Sequence, residues 1–186
     1  MEGVSLKSLR DRPFELLQEL ERRGRAMSAQ AGQEATTGRE WVGVALRMAG
    51  ELFLAAREET REVLSIPGAM TRVPGAKPWI RGLANVRGQL LPIVDLRQFI
   101  GSGVAPATRN TRIVVVNHRE IPAGLLVDEV LGFRRFAETE FSGDVPPTVA
   151  RCERYLAGAF RRGQEQWPVL SLRSILESPA FGEAAA

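Results

Sequence analysis

The sequence predicts a mainly all-β chain folded into two small β-barrels, and three observations carry that prediction. Apolar residues recur with a period of two in short runs. Pro-Gly pairs and polar turns separate the runs, and no long helical pattern accompanies them. The second half of the chain repeats local patterns of the first. With 186 residues and a hydrophobic fraction of 44%, the chain suffices for one ordinary domain, or for two small barrels sharing a core.

Residues Asp11 to Arg23 read as a short helix: Pro13 sits in its first turn, Phe14, Leu17 and Leu20 recur at helical spacing, and Gly24 ends it. The mostly small or polar residues from Ala26 to Gly38 read as a linker, so 1–39 is expected to be an N-terminal helical extension. From Trp41 the period becomes two: Val42, Val44, Leu46 and Met48 share one face, Ala49-Gly50 turns, and Glu51 to Leu54 returns as a hairpin partner. A charged segment, Arg57 to Glu62, leads into an apolar strand, Val63 to Ile66, which Pro67-Gly68 closes. Pro74-Gly75 marks another turn, and Trp79 to Leu83 reads as one helical turn. Asn85 to Leu96 reads as strand, tight turn at Gly88, strand, and Gly101 to Thr111 as a loop.

The second half runs Arg112 to Val116, a polar turn, Ile121 to Val127, an interruption at Asp144 to Thr148, and a hairpin of Leu156 to Phe160 with Trp167 to Leu172. A short apolar helix, Leu172 to Leu176, follows. Two matches relate the halves. Leu91-Pro92-Ile93-Val94-Asp95-Leu96-Arg97 aligns with Trp167-Pro168-Val169-Leu170-Ser171-Leu172-Arg173, and Glu62-Val63-Leu64 with Glu129-Val130-Leu131. The expected division is therefore one region, 40–176, of two intertwined subdomains, 40–111 and 112–176, followed by a tail, 177–186. Closing each sheet into a barrel removes edges that would otherwise invite aggregation.

Composition narrows the function. No stretch reaches the roughly 18 consecutive apolar residues of a membrane span, and the first residues lack a signal peptide's apolar run, so a cytoplasmic protein without direct membrane insertion is expected. One cysteine, Cys152, and one histidine, His118, cannot make a disulfide or an ordinary zinc site. His118 lies in a predicted turn with no serine or cysteine beside it and reads as a solvated turn residue, and Cys152 reads as a small buried hydrophobe. Gly101-Ser102-Gly103 lacks the third glycine and the helix of a phosphate cradle. Asp95, Asp128 and Glu129 are the remaining candidates for a carboxylate pair, which sequence alone cannot bring together. No catalytic residue and no cofactor is therefore expected. A net charge of +3 from scattered Arg, with aromatics at 6%, argues against nucleic acid, although a small basic barrel keeps that alternative open.

Particular residues then carry a resemblance. Pro74-Gly75, Ile80-Arg81-Gly82-Leu83, Asn85-Val86-Arg87-Gly88 and Pro92-Ile93-Val94-Asp95-Leu96 resemble the signature of the CheW family of chemotaxis coupling proteins. Arg61-Glu62-Val63-Leu64 upstream, and Gly124 to Val130 and Tyr155-Leu156-Ala157-Gly158 downstream, fall in the family's order, so the resemblance runs from about Trp41 to Leu176. The Asn85-Val86-Arg87-Gly88 version and the Pro13-Phe14-Glu15-Leu16-Leu17 helix resemble the PilI branch, which serves type IV pili and twitching motility; flagellar CheW proteins are the alternative.

The resemblance implies two SH3-like five-stranded barrels and a non-enzymatic adaptor with two partners. These are the regulatory domain of a CheA-like histidine kinase, met through apolar barrel ends, and the cytoplasmic tip of a methyl-accepting chemoreceptor, held along the groove between barrels. It implies recruitment from the cytoplasm to receptor arrays. It makes Glu62 and Arg87 a close pair on the first barrel, with Gly82, Asn85 and Gly88 shaping the strand and turn beside them, and it makes Gly124, Asp128 and Val130 groove-lining on the second barrel. Phe133 departs from the smaller residue of many relatives, and Arg134-Arg135 adds charge beside it.

Overall fold

The computed structural model describes residues 39–183; the Asp11 to Arg23 helix and its linker lie outside them. The described chain runs β1 (Glu40–Met48), β2 (Glu51–Ala56), β3 (Thr60–Ser65), β4 (Ile80–Val86), β5 (Gln89–Asp95) and a helical turn α1 (Leu96–Phe99). It continues through β6 (Arg112–Val116), β7 (Gly124–Val127), β8 (Glu129–Ala137), β9 (Phe141–Ser142), β10 (Leu156–Arg162) and β11 (Glu165–Leu170). Two short helices follow, α2 (Leu172–Leu176) and α3 (Pro179–Gly182).

The strands form two sheets. Sheet I has the order β3-β6-β7-β5-β4, and sheet II the order β8-β1-β2-β11-β10-β9. Sheet I has the five strands expected, whereas sheet II adds a sixth, the two-residue β9. The sheets exchange hairpins across the sequence repeat. β1 and β2 come from the first half but join sheet II, where β2 pairs β11 in parallel. β6 and β7 come from the second half but join sheet I, where β7 pairs β5 in parallel. Sheet membership therefore does not change at residue 111, where the repeat alone would divide the chain.

Burial on both faces explains the exchange. In β6, Ile113 and Val115 point into a cluster with Ala84, Leu91, Ile93 and Leu126, inside sheet I. The alternate residues Val114 and Val116 point into a larger cluster shared with sheet II, beside Leu46, Met48, Phe53 and Leu170. In β1 and β2, Ala45 and Leu54 face the interior of sheet II with Phe136 and Phe160. A strand covered on both sides needs a continuous apolar run, and each exchanged hairpin supplies one. The three clusters make the two sheets one body with a common core.

Four sequence expectations change in the fold. Trp79 to Leu83 is not a helical turn: Ile80–Val86 is strand β4, because pairing with β5 overrides the local Pro-Trp pattern and a register shift at Gly82 absorbs the irregularity. β8, not anticipated as a strand, pairs β1 along its length. The C-terminal tail contains α3, whose Phe181 is buried against Trp79 and Phe99. His118 is not a solvated turn residue, since only 14% of its side chain is exposed.

Candidate partner-binding surface

The turn between β4 and β5 is built by four of the residues singled out in the sequence. Val86 pairs Gln89, which leaves Arg87 and Gly88 as a two-residue loop. Both have positive φ, 51° and 84°, as a type I′ hairpin turn requires. Space around Gly88 is open, so its glycine answers the backbone demand alone. Asn85 Oδ1 accepts a hydrogen bond from the Gly88 N–H at 2.8 Å and closes the turn. Arg87 has no glycine's freedom, and a left-handed non-glycine residue costs of order 1–3 kcal/mol.

What Arg87 reaches from that position is Glu62 on β3, with Nη2 2.9 Å from Oε2. The contact is an ion pair without the alignment of a hydrogen bond, so the buried Oε2 has no hydrogen-bond donor among the described residues. Arg87 is largely exposed and Glu62 is not, the side-chain values being 78% and 19%. Solvent screens such a pair to about 0–1 kcal/mol, so its consequence is positional: it ties the turn to the edge strand. The close pair that the resemblance implied is present.

Beside that pair lies a cleft of about 480 Å³, walled by β3 and the segment before it and by Phe133 of β8. β3 and β8 are each the outermost strand of their sheet. Burial along β3 alternates, with Thr60, Glu62 and Leu64 turned inward and Arg61, Val63 and Ser65 outward. An acid thus sits on the inward face and an apolar valine on the outward one, the reverse of ordinary amphipathic order. Val63 is 38% exposed and Phe133 62%. Sequence reading named Phe133 only as a departure and missed Val63 and Asn117; the inverted pattern Arg61-Glu62-Val63 was the available signal. Asn117 is held in place by donating to the backbone oxygens of Glu58, through Nδ2, and Glu59, through N–H.

The other predicted residues lie elsewhere. Gly82 is buried in β4 with φ +144°, and a Cβ there would stand 2.5 Å from the Thr71 carbonyl oxygen. It therefore permits the two hydrogen bonds, each 2.8 Å, that bind Thr71 to Leu83. Gly124 does not line a groove on the second barrel. It belongs to β7 of sheet I, where a Cβ would strike Ile113 and Ile93 inside that sheet. Asp128 follows β7 and accepts from the Ala49 N–H at 2.8 Å, with Arg97 Nη1 3.6 Å away, so it braces the β1–β2 turn. Val130 is half-buried against the shared core, opposite Leu46. The fold thus gathers Glu62, Asn85, Arg87 and Gly88 in one place and leaves Gly82, Gly124, Asp128 and Val130 as supports of the frame.

The chemically versatile groups are occupied structurally. His118 Nδ1 accepts from the Ile121 N–H at 3.1 Å, which leaves Nε2 to donate to Glu177 at 3.3 Å. Cys152 is fully buried, and burial pushes its thiol up, away from the reactive thiolate. Burial likewise raises the Asp95 carboxyl, against the opposing hydrogen bond from Gln98 N–H and the charge of Arg81. That carboxylate caps α1 at 3.1 Å. Among the described residues no three His, Cys, Asp or Glu side chains are grouped to hold a metal ion. No described helix is long and apolar enough to cross a membrane.

A family model described as a CheW-like domain matches residues 43–180, which takes in both sheets and the Glu62–Arg87 corner. The chain belongs to the CheW-like family. It is 38% identical to Protein PilI of Pseudomonas aeruginosa, over 93% of this chain and 96% of that protein. It is 29% identical to Protein FrzA of Myxococcus xanthus, over 69% of this chain and 81% of that protein. The crystal structure of the scaffolding protein TtCheW from Thermoanaerobacter tengcongensis superposes with a TM-score of 0.67 at 23% identity, covering 76% of this chain and 96% of that one. The CheW-like fold therefore accounts for the two sheets and for the short helices that close each repeat.

Proposed function

We propose that this CheW-like protein is a non-enzymatic adaptor that couples a methyl-accepting chemoreceptor to a CheA-like histidine kinase. Its system is the one controlling type IV pili and twitching motility, as similarity to PilI along 93% of the chain supports. One observation carries the reading: in a chain of this family, an apolar cleft rimmed by charge opens between two outermost strands, with Val63 and Phe133 exposed beside Glu62. An amphipathic receptor helix lays its apolar stripe on Val63 and Phe133, while Arg57, Arg61 and Glu62 fix its register. The regulatory domain of the kinase meets apolar ends of the sheets. From the cytoplasm the protein joins receptor arrays through these contacts and transforms no molecule itself.

Arg87→Glu tests the reading, because it places like charges at Glu62 while altering only an exposed side chain. The variant is expected to keep its circular dichroism spectrum and to lose most co-sedimentation with receptor fragments and kinase. Unchanged co-sedimentation would refute the assignment of this corner. A pull-down from native lysate then identifies the receptor, and recovery of a flagellar receptor alone would overturn the pilus assignment.

A further inference from the structure

The two sheets carry matching loops before β4 and β10, and the match extends to backbone detail. Gly82 in β4 and Gly158 in β10 have φ +144° and +140°, and each marks a register shift against the next strand. Earlier in the loops Gly75 and Arg151 both have positive φ, 70° and 53°. At corresponding places Arg72, Lys77 and Arg81 of the first loop stand where the second has Thr148, Glu153 and Ala157.

The second loop satisfies itself. Glu51 accepts from the N–H groups of Val149 and Ala150 at 2.8 and 2.9 Å, and Glu153 accepts from the Thr148 N–H at 2.7 Å. In the first loop Lys77 replaces the second of these acids. The parallel pairing that puts Leu54 beside Val169 puts Gly124 beside Ile93, so Ile121 stands where Glu51 would be. The cleft of about 520 Å³ along this loop is lined by Arg72, Lys77 and Arg81 together with Met70, Val73 and Ile80, and by no acidic residue among the described residues. None of the three cations forms an ion pair within 4.0 Å among the described residues. Buried Asp95 answers part of the Arg81 charge, while Arg72 is exposed and Lys77 half-buried along the cleft.

We propose that this cleft binds an acidic segment of a protein partner, one in which carboxylates are interspersed with apolar side chains. Cations interleaved with Met70, Val73 and Ile80 match that pattern in both charge and apolarity. A phosphate would call for converging backbone N–H groups, and Pro67, Pro74 and Pro78 remove three of them from this loop. The site is separate from the cleft beside Glu62 and does not depend on the receptor and kinase reading.

Fluorescence anisotropy of the full chain with a labelled Glu-rich peptide carrying interspersed Leu tests this, against a Lys-rich peptide of equal length. Inorganic phosphate and phosphatidylglycerol vesicles provide the other arms. Saturable, salt-sensitive binding of the acidic peptide is expected, weakened at least about 10-fold in the Arg72→Glu, Lys77→Glu double variant and unchanged in Arg161→Glu on sheet II. If the double variant fails to fold by circular dichroism, Arg72→Gln with Lys77→Gln reads the same loss. Absence of binding, equal loss in Arg161→Glu, or binding of phosphate or vesicles alone would overturn the proposal.

Discussion

Sheets I and II share a plan, and comparing them separates what the plan requires from what each copy uses. The shared parts are backbone devices. Asp95 N–H donates to the Trp79 carbonyl in one copy as Ser171 N–H does to Tyr155 in the other, at 2.8 and 2.9 Å. Asp95 and Ser171 then cap the following helical turns, each at 3.1 Å. The differences lie in side chains. Sheet I encloses only aliphatic residues, whereas sheet II stacks Phe136 on Phe160 at 4.8 Å, with Trp41 against Phe160 and Arg162 over Phe136. Glu62 pairs with a hairpin tip, but its counterpart Glu129 pairs with Arg47 on the adjoining strand. The hairpin tip of sheet I stays exposed and its loop before β4 carries cations, while the matching loop of sheet II is held by hydrogen bonds to Glu51 and Glu153.

The largest test of the shared plan is at the two strand glycines. Gly82→Ala and Gly158→Ala each drive a methyl into a backbone carbonyl, of Thr71 and Ser142 respectively, at a φ that disfavours any L side chain. A loss of about 2–4 kcal/mol in each is expected from urea midpoints, the greater at Gly158, where Phe141 also blocks the space. A tolerated alanine at either site would break the equivalence.

A smaller effect is expected at Glu59, which reaches across to α2. Its Oε2 accepts from the Leu172 N–H at 2.7 Å, and its Oε1 accepts from the Ser171 hydroxyl at 3.3 Å. Glu59→Ala should cost about 1–2 kcal/mol, as loss of a helix cap does, measurable as a lowered melting temperature. Melting indistinguishable from the parent would show that Ser171 alone suffices.

Smallest is the effect of replacing the Asp95 cap by its own neutral analogue, asparagine. The folded state holds the Asp95 proton more tightly than the unfolded chain does, because burial raises the carboxyl above its ordinary 3.8. Ionised Asp95 therefore opposes folding once pH has risen through its folded value, and this cost is absent below 3.8. Asp95→Asn keeps an oxygen for Gln98 N–H and removes the ionisation. It should melt slightly higher than the parent at neutral pH, with the difference shrinking in acid; a lower melting point at neutral pH would show that Arg81 compensates the burial.

Much of this was legible beforehand because it is local. Period-two alternation gave β1, β2, β6, β10 and β11, and Asn85 to Gly88 announced its turn through residues that tolerate it. β8 was missed because Gly132-Phe133-Arg134-Arg135 offers no alternation: this strand is exposed through its middle, where pairing with β1 holds it, and packs into the interior at its two ends, through Val130 and Phe136. Trp79 to Leu83 misled because a helical turn and a bulged strand look alike over so few residues. In the candidate site, Glu62 and Arg87 were found through the resemblance, but Gly124 was misplaced because nothing in its neighbours says which sheet β7 joins.

By itself the sequence determined the strands with strong alternation, the turn chemistry and the existence of a repeat, since each depends on residues a few positions apart. Only the tertiary structure decided that the opening hairpins trade places, that Val63 and Phe133 frame one cleft, and that Lys77 meets no acid among the described residues. Those outcomes follow from which apolar face is buried against which, a competition among distant segments that no short window of residues contains.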